Sequence, residues 1–162
     1  MPRSLIIDGY NLAFAWKEVR PLLLSNQQKG RERLLDLLRR YKKATGQEVL
    51  VVFDGPKESS QPRLQTVQGI KTTYSAFPKT ADDDIRKMIQ ACADKGRLLV
   101  ISSDHQVSGF AERRNVETMG SGTFAQKVEQ VLAGSTEAEE KPQKADVADW
   151  LKFFQRDKNT DD

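Results

Sequence analysis

Four acidic positions in this chain fall where apolar runs end or a helical pattern begins. Asp8 closes the run in LIIDGYN, Asp54 closes the run in VVFDG, and Asp104 follows the run in LVISSDH. Asp82, Asp83 and Asp84 come directly after Thr80-Ala81, where an amphipathic pattern starts. Carboxylates that converge in one place repel one another, and burying them unpaired is costly. A divalent cation offsets that repulsion, and an all-oxygen donor set suits Mg2+ or Mn2+. Such ions activate water and stabilise the leaving oxygen in phosphodiester hydrolysis. Each acid also has a plainer use. Asp at a strand end serves turns and caps, and acids in a first helical turn favour the helix dipole. The register of all four places with element ends is what points to a metal site formed by Asp8, Asp54, Asp82 and Asp104.

The elements that must position these acids are readable from periodicity. Residues 3–8, 48–54 and 97–102 are near-continuous apolar runs, the pattern of strands buried on both faces of a parallel sheet. Weaker strands cover roughly 69–75 and 115–119. Between them, residues 28–44 place Leu34, Leu35, Leu37, Leu38 and Tyr41 on one helical face, and Gly46 stops the pattern. Thr80 can cap a helix whose stripe is Ala81, Ile85, Met88, Ile89 and Cys92. Shorter helices are expected over 105–114 and 123–132. This β–α alternation predicts a three-layer α/β fold with a mostly parallel sheet, in which ligands bind at the carboxyl ends of the strands. Residues 1–134 read as that domain, and 135–145 as a polar linker. In 146–162, Val147, Trp150, Leu151 and Phe154 make a short amphipathic helix that docks on its own domain or on a partner.

Composition narrows the chemistry. The 162 residues are 38% hydrophobic and 30% charged, which suits one globular domain. One cysteine, Cys92, excludes a disulfide framework and multi-cysteine zinc sites. One histidine, His105, weighs against His-rich metal sites and most Ser-His-Asp schemes. The net charge of +3 hides a division: 21 basic against 15 acidic residues up to Gly134, then 5 against 8. A basic body fits a polyanionic partner such as nucleic acid. The apolar run near the N-terminus is far too short for a signal peptide or a membrane span, so no membrane partner and a cytoplasmic location are expected.

Taken together, LIIDGYN, GRERLLDLLRRY, VVFDG, TADDDIRKMI and VISSD resemble the YacP-like NYN domains, a branch of the PIN-like nucleases. The resemblance runs from about Ser4 to Leu132. It implies a Rossmann-like sheet and a metal-dependent endoribonuclease centre. One branch consists of ribosome-associated enzymes of mRNA decay, so RNA and the ribosome are the implied partners. Carried onto this sequence, it makes Asp8 a direct metal ligand and Asn11 a ligand-binding or loop-holding residue. Asp82 matches the TAD aspartate, Asp104 matches the SD aspartate, and Asp54 is a ligand or a supporting acid. Related domains often place a further acid after the SD aspartate. Here Ser103-Asp104-His105-Gln106 lacks it.

The candidate RNA contacts are Lys79, next to the acid cluster, with Arg31, Arg33, Arg63 and Lys71. Tyr10 and Trp16 follow the first strand and are suited either to stack on bases or to fill the core. His105 is a phosphate contact or a plain helix-start residue. Gly120-Ser121-Gly122 offers backbone N–H groups to a phosphate or simply begins a helix. Arg39, Arg40, Lys42 and Lys43 lie at the far end of their helix and read as a solvated face. The competing reading is an RNA- or ribosome-binding module of the same fold without activity. A haloacid-type phosphatase needs an acid where Tyr10 stands, and a dinucleotide site needs a GxGxxG that is absent.

Overall fold

The computed structural model describes residues 3–58 and 63–139, with side chains described to 134. In chain order its elements begin with β1 (Ser4–Asp8), α1 (Gly9–Ala15), α2 (Arg20–Ser25) and α3 (Gln27–Thr45). Next come β2 (Glu48–Phe53), β3 (Arg63–Val67), β4 (Ile70–Tyr74) and α4 (Ala81–Ala91). A 3-10 turn leads into β5 (Leu98–Ile101), followed by α5 (His105–Glu112), β6 (Glu117–Met119) and α6 (Ser121–Glu139). The sheet order is β3-β4-β2-β1-β5-β6, parallel throughout except for the β3–β4 pair. The chain is therefore an α/β protein with a mostly parallel sheet flanked by helices.

The central strands are apolar throughout because both faces are covered. Side chains alternate between faces with period two. Leu5 and Ile7 of β1, Val49, Val51 and Phe53 of β2, and Leu99 and Ile101 of β5 join the layer of α1, α2, α3 and α6. Ile6, Val52, Leu98 and Val100 point the other way, onto Ala81, Ile85 and Ile89 of α4 and Val107 and Ala111 of α5. Helix α3 buries Leu34, Leu35, Leu37, Leu38 and Tyr41 as its periodicity requires, and Gly46 closes it at φ 73°. In α4, Thr80 and Asp83 form a reciprocal capping box. Met88 and Cys92 only border the core, so the expected stripe narrows to Ala81, Ile85 and Ile89.

Three elements carry no apolar run or clear period and were not expected. Helix α1 starts at once where β1 ends, leaving no loop to mark it. Helix α2 is a single short stretch with Pro21 in its first turn. Strand β3 is an exposed edge (RLQTV), so it lacks the apolar signal of the inner strands. It pairs with β4 through a two-residue turn, Gln68-Gly69, both with positive φ, as a tight hairpin requires. Helix α6 begins at Ser121 and continues to Glu139, five residues past the expected domain end at 134. The rest of the expected linker and the helix at 146–155 lie outside the described residues.

Candidate active site

The sheet brings the acids to one edge. In the parallel register Asp8 pairs with Val52, and Ile7 pairs with Ile101. The ends of β1, β2 and β5 are therefore level, and Asp8, Asp54 and Asp104 emerge together at their carboxyl side. The loop after β4 returns α4 to the same edge. There the backbone N–H of Ala81 donates to Asp54 Oδ1 at 2.7 Å. Asp54 thus holds the first turn of the helix that carries Asp82.

Two serines and an asparagine lock this edge. The Ser102 hydroxyl donates to Asp8 Oδ2 at 3.0 Å, and its oxygen accepts the backbone N–H of Asp104 at 3.1 Å. Asp104 Oδ1 accepts the N–H of Gln106 at 2.8 Å and so caps α5. Asn11 Oδ1 accepts two bonds, from the N–H of Ser103 at 2.8 Å and from the Ser121 hydroxyl at 2.6 Å. The Ser103 hydroxyl oxygen in turn accepts the N–H of Ser121 at 2.8 Å. Asn11 therefore joins α1, the loop after β5 and the start of α6. That N–H at the Gly120-Ser121-Gly122 turn is already taken, which fits the plain helix-start reading.

Electrostatics records the crowding. Burial pushes the Asp8 carboxyl up to about 6; the Ser102 hydrogen bond opposes this, and the charges of Asp54, Asp82 and Asp104 add to it. Asp82 is also raised, first by burial, with Arg86 opposing and Asp104 and Asp83 adding. Asp83 goes the other way because the Thr80 backbone N–H donates to it. Asp82 Oδ2 receives Arg86 Nη2 at 2.8 Å, while Asp82 Oδ1 is buried with no hydrogen-bond partner.

The four acids share a field without sharing a ready ligand sphere. Among the described residues, no three His, Cys, Asp or Glu side chains form a metal-binding group. The hydrogen bonds give the physical reason. Asp54 and Asp104 spend oxygens on helix N-termini, Asp8 on Ser102 and Asp82 on Arg86. A lone partnerless oxygen on Asp82 and a crowded Asp8 fit a largely hydrated divalent ion held by one or two carboxylates, the usual manner of Mg2+. They do not fit a closed all-protein cage.

The cationic candidates divide. Arg31 donates to the Tyr10 hydroxyl at 3.0 Å, and the Tyr10 ring packs on Phe53 at 4.8 Å. Arg63 pairs in register with Tyr74 and lies 4.5 Å over its ring, beside the carboxyl edge. Lys79 is exposed near Asp83 and Asp84, whose carboxyls feel its charge. Two others are placed differently. Arg33 is tied to Glu18 and lies near Asp36. Lys71 faces Leu50 in register, toward the amino ends of the strands. Trp16 is buried and donates to Glu129 Oε2 at 3.0 Å, which settles it as core. Sequence reasoning passed over Ser102 and Arg86. The serine before Ser103-Asp104, and an arginine four residues after Asp82 on one helix, were the signals available.

The family profile of the YacP-like NYN domain matches residues 5–158. The chain belongs to the YacP-like NYN domain family. That family is a nuclease-type domain family. Its match extends past Leu132, where the resemblance carried by the motifs ends. Uncharacterized protein YacP of Bacillus subtilis is 31% identical over 87 residues, 54% of this chain and 51% of that protein. The chain thus spans about half the length of this curated relative. Two crystal structures of Rae1 (YacP) from Bacillus subtilis share the fold. One, of a tryptophan-to-leucine mutant, gives a TM-score of 0.68 at 24% identity, covering 81% of this NYN chain and 77% of the other. The second gives 0.60 at 23% identity and covers 94% of both. Among the described residues, no helix of this NYN domain is long and apolar enough to cross a membrane.

Proposed function

We propose that this NYN domain is a metal-dependent endoribonuclease, with Asp8, Asp82 and Asp104 as its acidic centre and Mg2+ or Mn2+ as its cofactor. The single observation that carries the reading is the burial of Asp8 at an edge where three further acids emerge. A half-buried carboxylate raised to about 6 beside three further acids is costly unless a cation or a proton relieves it. When bound, a divalent ion supplies water activation and charge neutralisation at the leaving oxygen. Asp8 and the free oxygen of Asp82 are the groups suited to hold it. Ser102 keeps Asp8 and the Asp104 loop in fixed relation, Asn11 fixes that loop, and Asp54 anchors α4. Arg31, Arg63 and Lys79 surround the edge and would hold the phosphate backbone. RNA is the proposed substrate and the ribosome the proposed partner, with mRNA as the target. The test is incubation of purified protein with RNA, and with translating ribosomes, in Mg2+ or Mn2+ beside Asp8→Asn.

A second reading, an RNA- or ribosome-binding module without cleavage, is favoured by the absence of a ready three-ligand group among the described residues and of an acid after Asp104. RNA binding that is unchanged by EDTA, with no cutting in Mn2+, would decide for it.

A further inference from the structure

Helices α4 and α5 border a second feature beside the acids, an open depression. A cleft of about 540 Å³ is lined by Arg86, His105, Gln106, Phe110 and Arg113. Its size falls in the range of ordinary ligand pockets, about 300–1,000 Å³. No carboxylate is among these lining residues. Arg86 forms the wall shared with the acidic centre, because its Nη2 donates both to Asp82 Oδ2 at 2.8 Å and to Gln106 Oε1 at 3.1 Å. Its Nε is buried and has no protein acceptor. Arg113 is exposed, and its side chain makes no hydrogen bond or ion pair among the described residues. The Phe110 ring lies 3.6 Å from the Arg114 guanidinium and 5.8 Å from that of Arg86. Other arginines here are tied to carboxylates, as Arg33, Arg39 and Arg40 are. In this cleft Arg86 has such a partner in Asp82, while Arg113 has none among the described residues.

We infer that the cleft between α4 and α5 is a phosphate-binding subsite that takes a backbone phosphate of the RNA strand next to the one presented to Asp8 and Asp82. The inference rests on the nuclease reading only for the identity of the strand. Arg113 and His105 meet the phosphate from α5, and Arg86 lines the cleft from α4. Guanidinium groups are suited to phosphate oxygens through their fixed fork of donors. A polyanion bound here lies one step from the acids, because Arg86 touches Asp82 and His105 follows Asp104.

The test is binding of a short, fluorescently labelled single-stranded RNA in EDTA, where metal-dependent cleavage plays no part. Arg113→Gln is expected to raise Kd about tenfold at low salt. It is also expected to reduce the slope of log K against log salt by about 0.7, the loss of one phosphate contact on a single strand. His105→Ala weakens binding in the same direction. Lys43→Gln, which removes a charge at the far end of α3, is expected to leave Kd near wild type. Wild-type affinity and slope in Arg113→Gln, or equal weakening by Lys43→Gln, would overturn the subsite. The two readings fail separately. Weakened binding in Arg113→Gln with RNA left uncut in Mn2+ keeps the subsite and overturns the nuclease. Cleavage by the wild type with unchanged Arg113→Gln binding overturns the subsite alone.

Discussion

The Ser102 hydroxyl donates to Asp8 Oδ2 at 3.0 Å across 94 residues of sequence. Because the same oxygen accepts the Asp104 N–H, one buried serine fixes the spacing of two candidate ligands, Asp8 at the end of β1 and Asp104 in the loop after the neighbouring β5. Removing it by Ser102→Ala leaves Asp8 and a backbone N–H short of a partner. The expected cost is about 1–3 kcal/mol in stability, read by urea unfolding. Cleavage should fall about 10–100-fold, as when a supporting partner of a metal ligand is lost. Unaltered cleavage in Ser102→Ala would mean that the spacing of Asp8 and Asp104 does not matter to the reaction.

Asp8 predicts a pH dependence of folding in EDTA. Its folded pKa, about 6, lies above the unfolded value of 3.8. Below pH 3.8 both states hold the proton and Asp8 costs nothing. As pH rises from 3.8 through 6 the unfolded state releases the proton first, so stability falls, and above 6 the loss is complete. It amounts to about 3 kcal/mol. Asp8→Asn removes this loss. The variant should therefore melt about 6 °C or more above wild type at neutral pH and show a flatter profile between pH 4 and 6. A variant less stable than wild type at neutral pH would contradict the burial argument.

Asn11 is the clamp between three elements, and its amide oxygen accepts from both Ser103 and Ser121. Asn11→Ala strips both bonds. Stability should drop by about 1–3 kcal/mol, and hydrogen exchange at the Ser103 amide should accelerate. Full protection of that amide in the variant would show that the loop is held by something else.

Gly55 follows Asp54, and a Cβ there would sit 2.0 Å from the Ser75 carbonyl oxygen, a backbone atom. Gly55→Ala must push β4 and the Asp54 turn apart. Thermal unfolding should register about 1–3 kcal/mol of destabilisation. Since Asp54 holds the N–H of Ala81, cleavage should weaken as well. A neutral Gly55→Ala would place the Asp54 turn in looser packing than the structure gives it.

The parts of this fold that were legible in the sequence are those whose burial is one-sided or complete. β1, β2 and β5 announce themselves because both faces are covered, so nearly every residue is apolar. Helices α3 and α4 show their period because one face meets the sheet. The acids were legible because they end those strands or open that helix. What was not legible has little buried surface or no boundary residue. Edge strand β3 is exposed except for the partly buried Val67, and α1 begins without a loop. The partners of the acids were hidden for a different reason. Ser102 matters through Asp8, a contact that exists only once distant segments meet; Asn11 was legible as a loop-holding residue, but its partner Ser121 was not. Arg33 shows the converse: an arginine two positions from Arg31 looks equally free in sequence, but Glu18, from the connection between α1 and α2, claims it. Family membership confirms the fold that the motifs implied, while the roles proposed for Asp8, Asp82 and Asp104 are argued from the geometry of this edge.

The most direct measurement of the central claim is cleavage of single-stranded RNA by purified protein in Mg2+ or Mn2+, with Asp8→Asn and Asp82→Asn run alongside and their folding checked by circular dichroism. The expected result is cutting by wild type that EDTA stops, and none by either folded variant. Cutting by Asp8→Asn or Asp82→Asn at the wild-type rate, or cutting by wild type that EDTA leaves untouched, would contradict a metal-dependent acidic centre at this edge of the sheet.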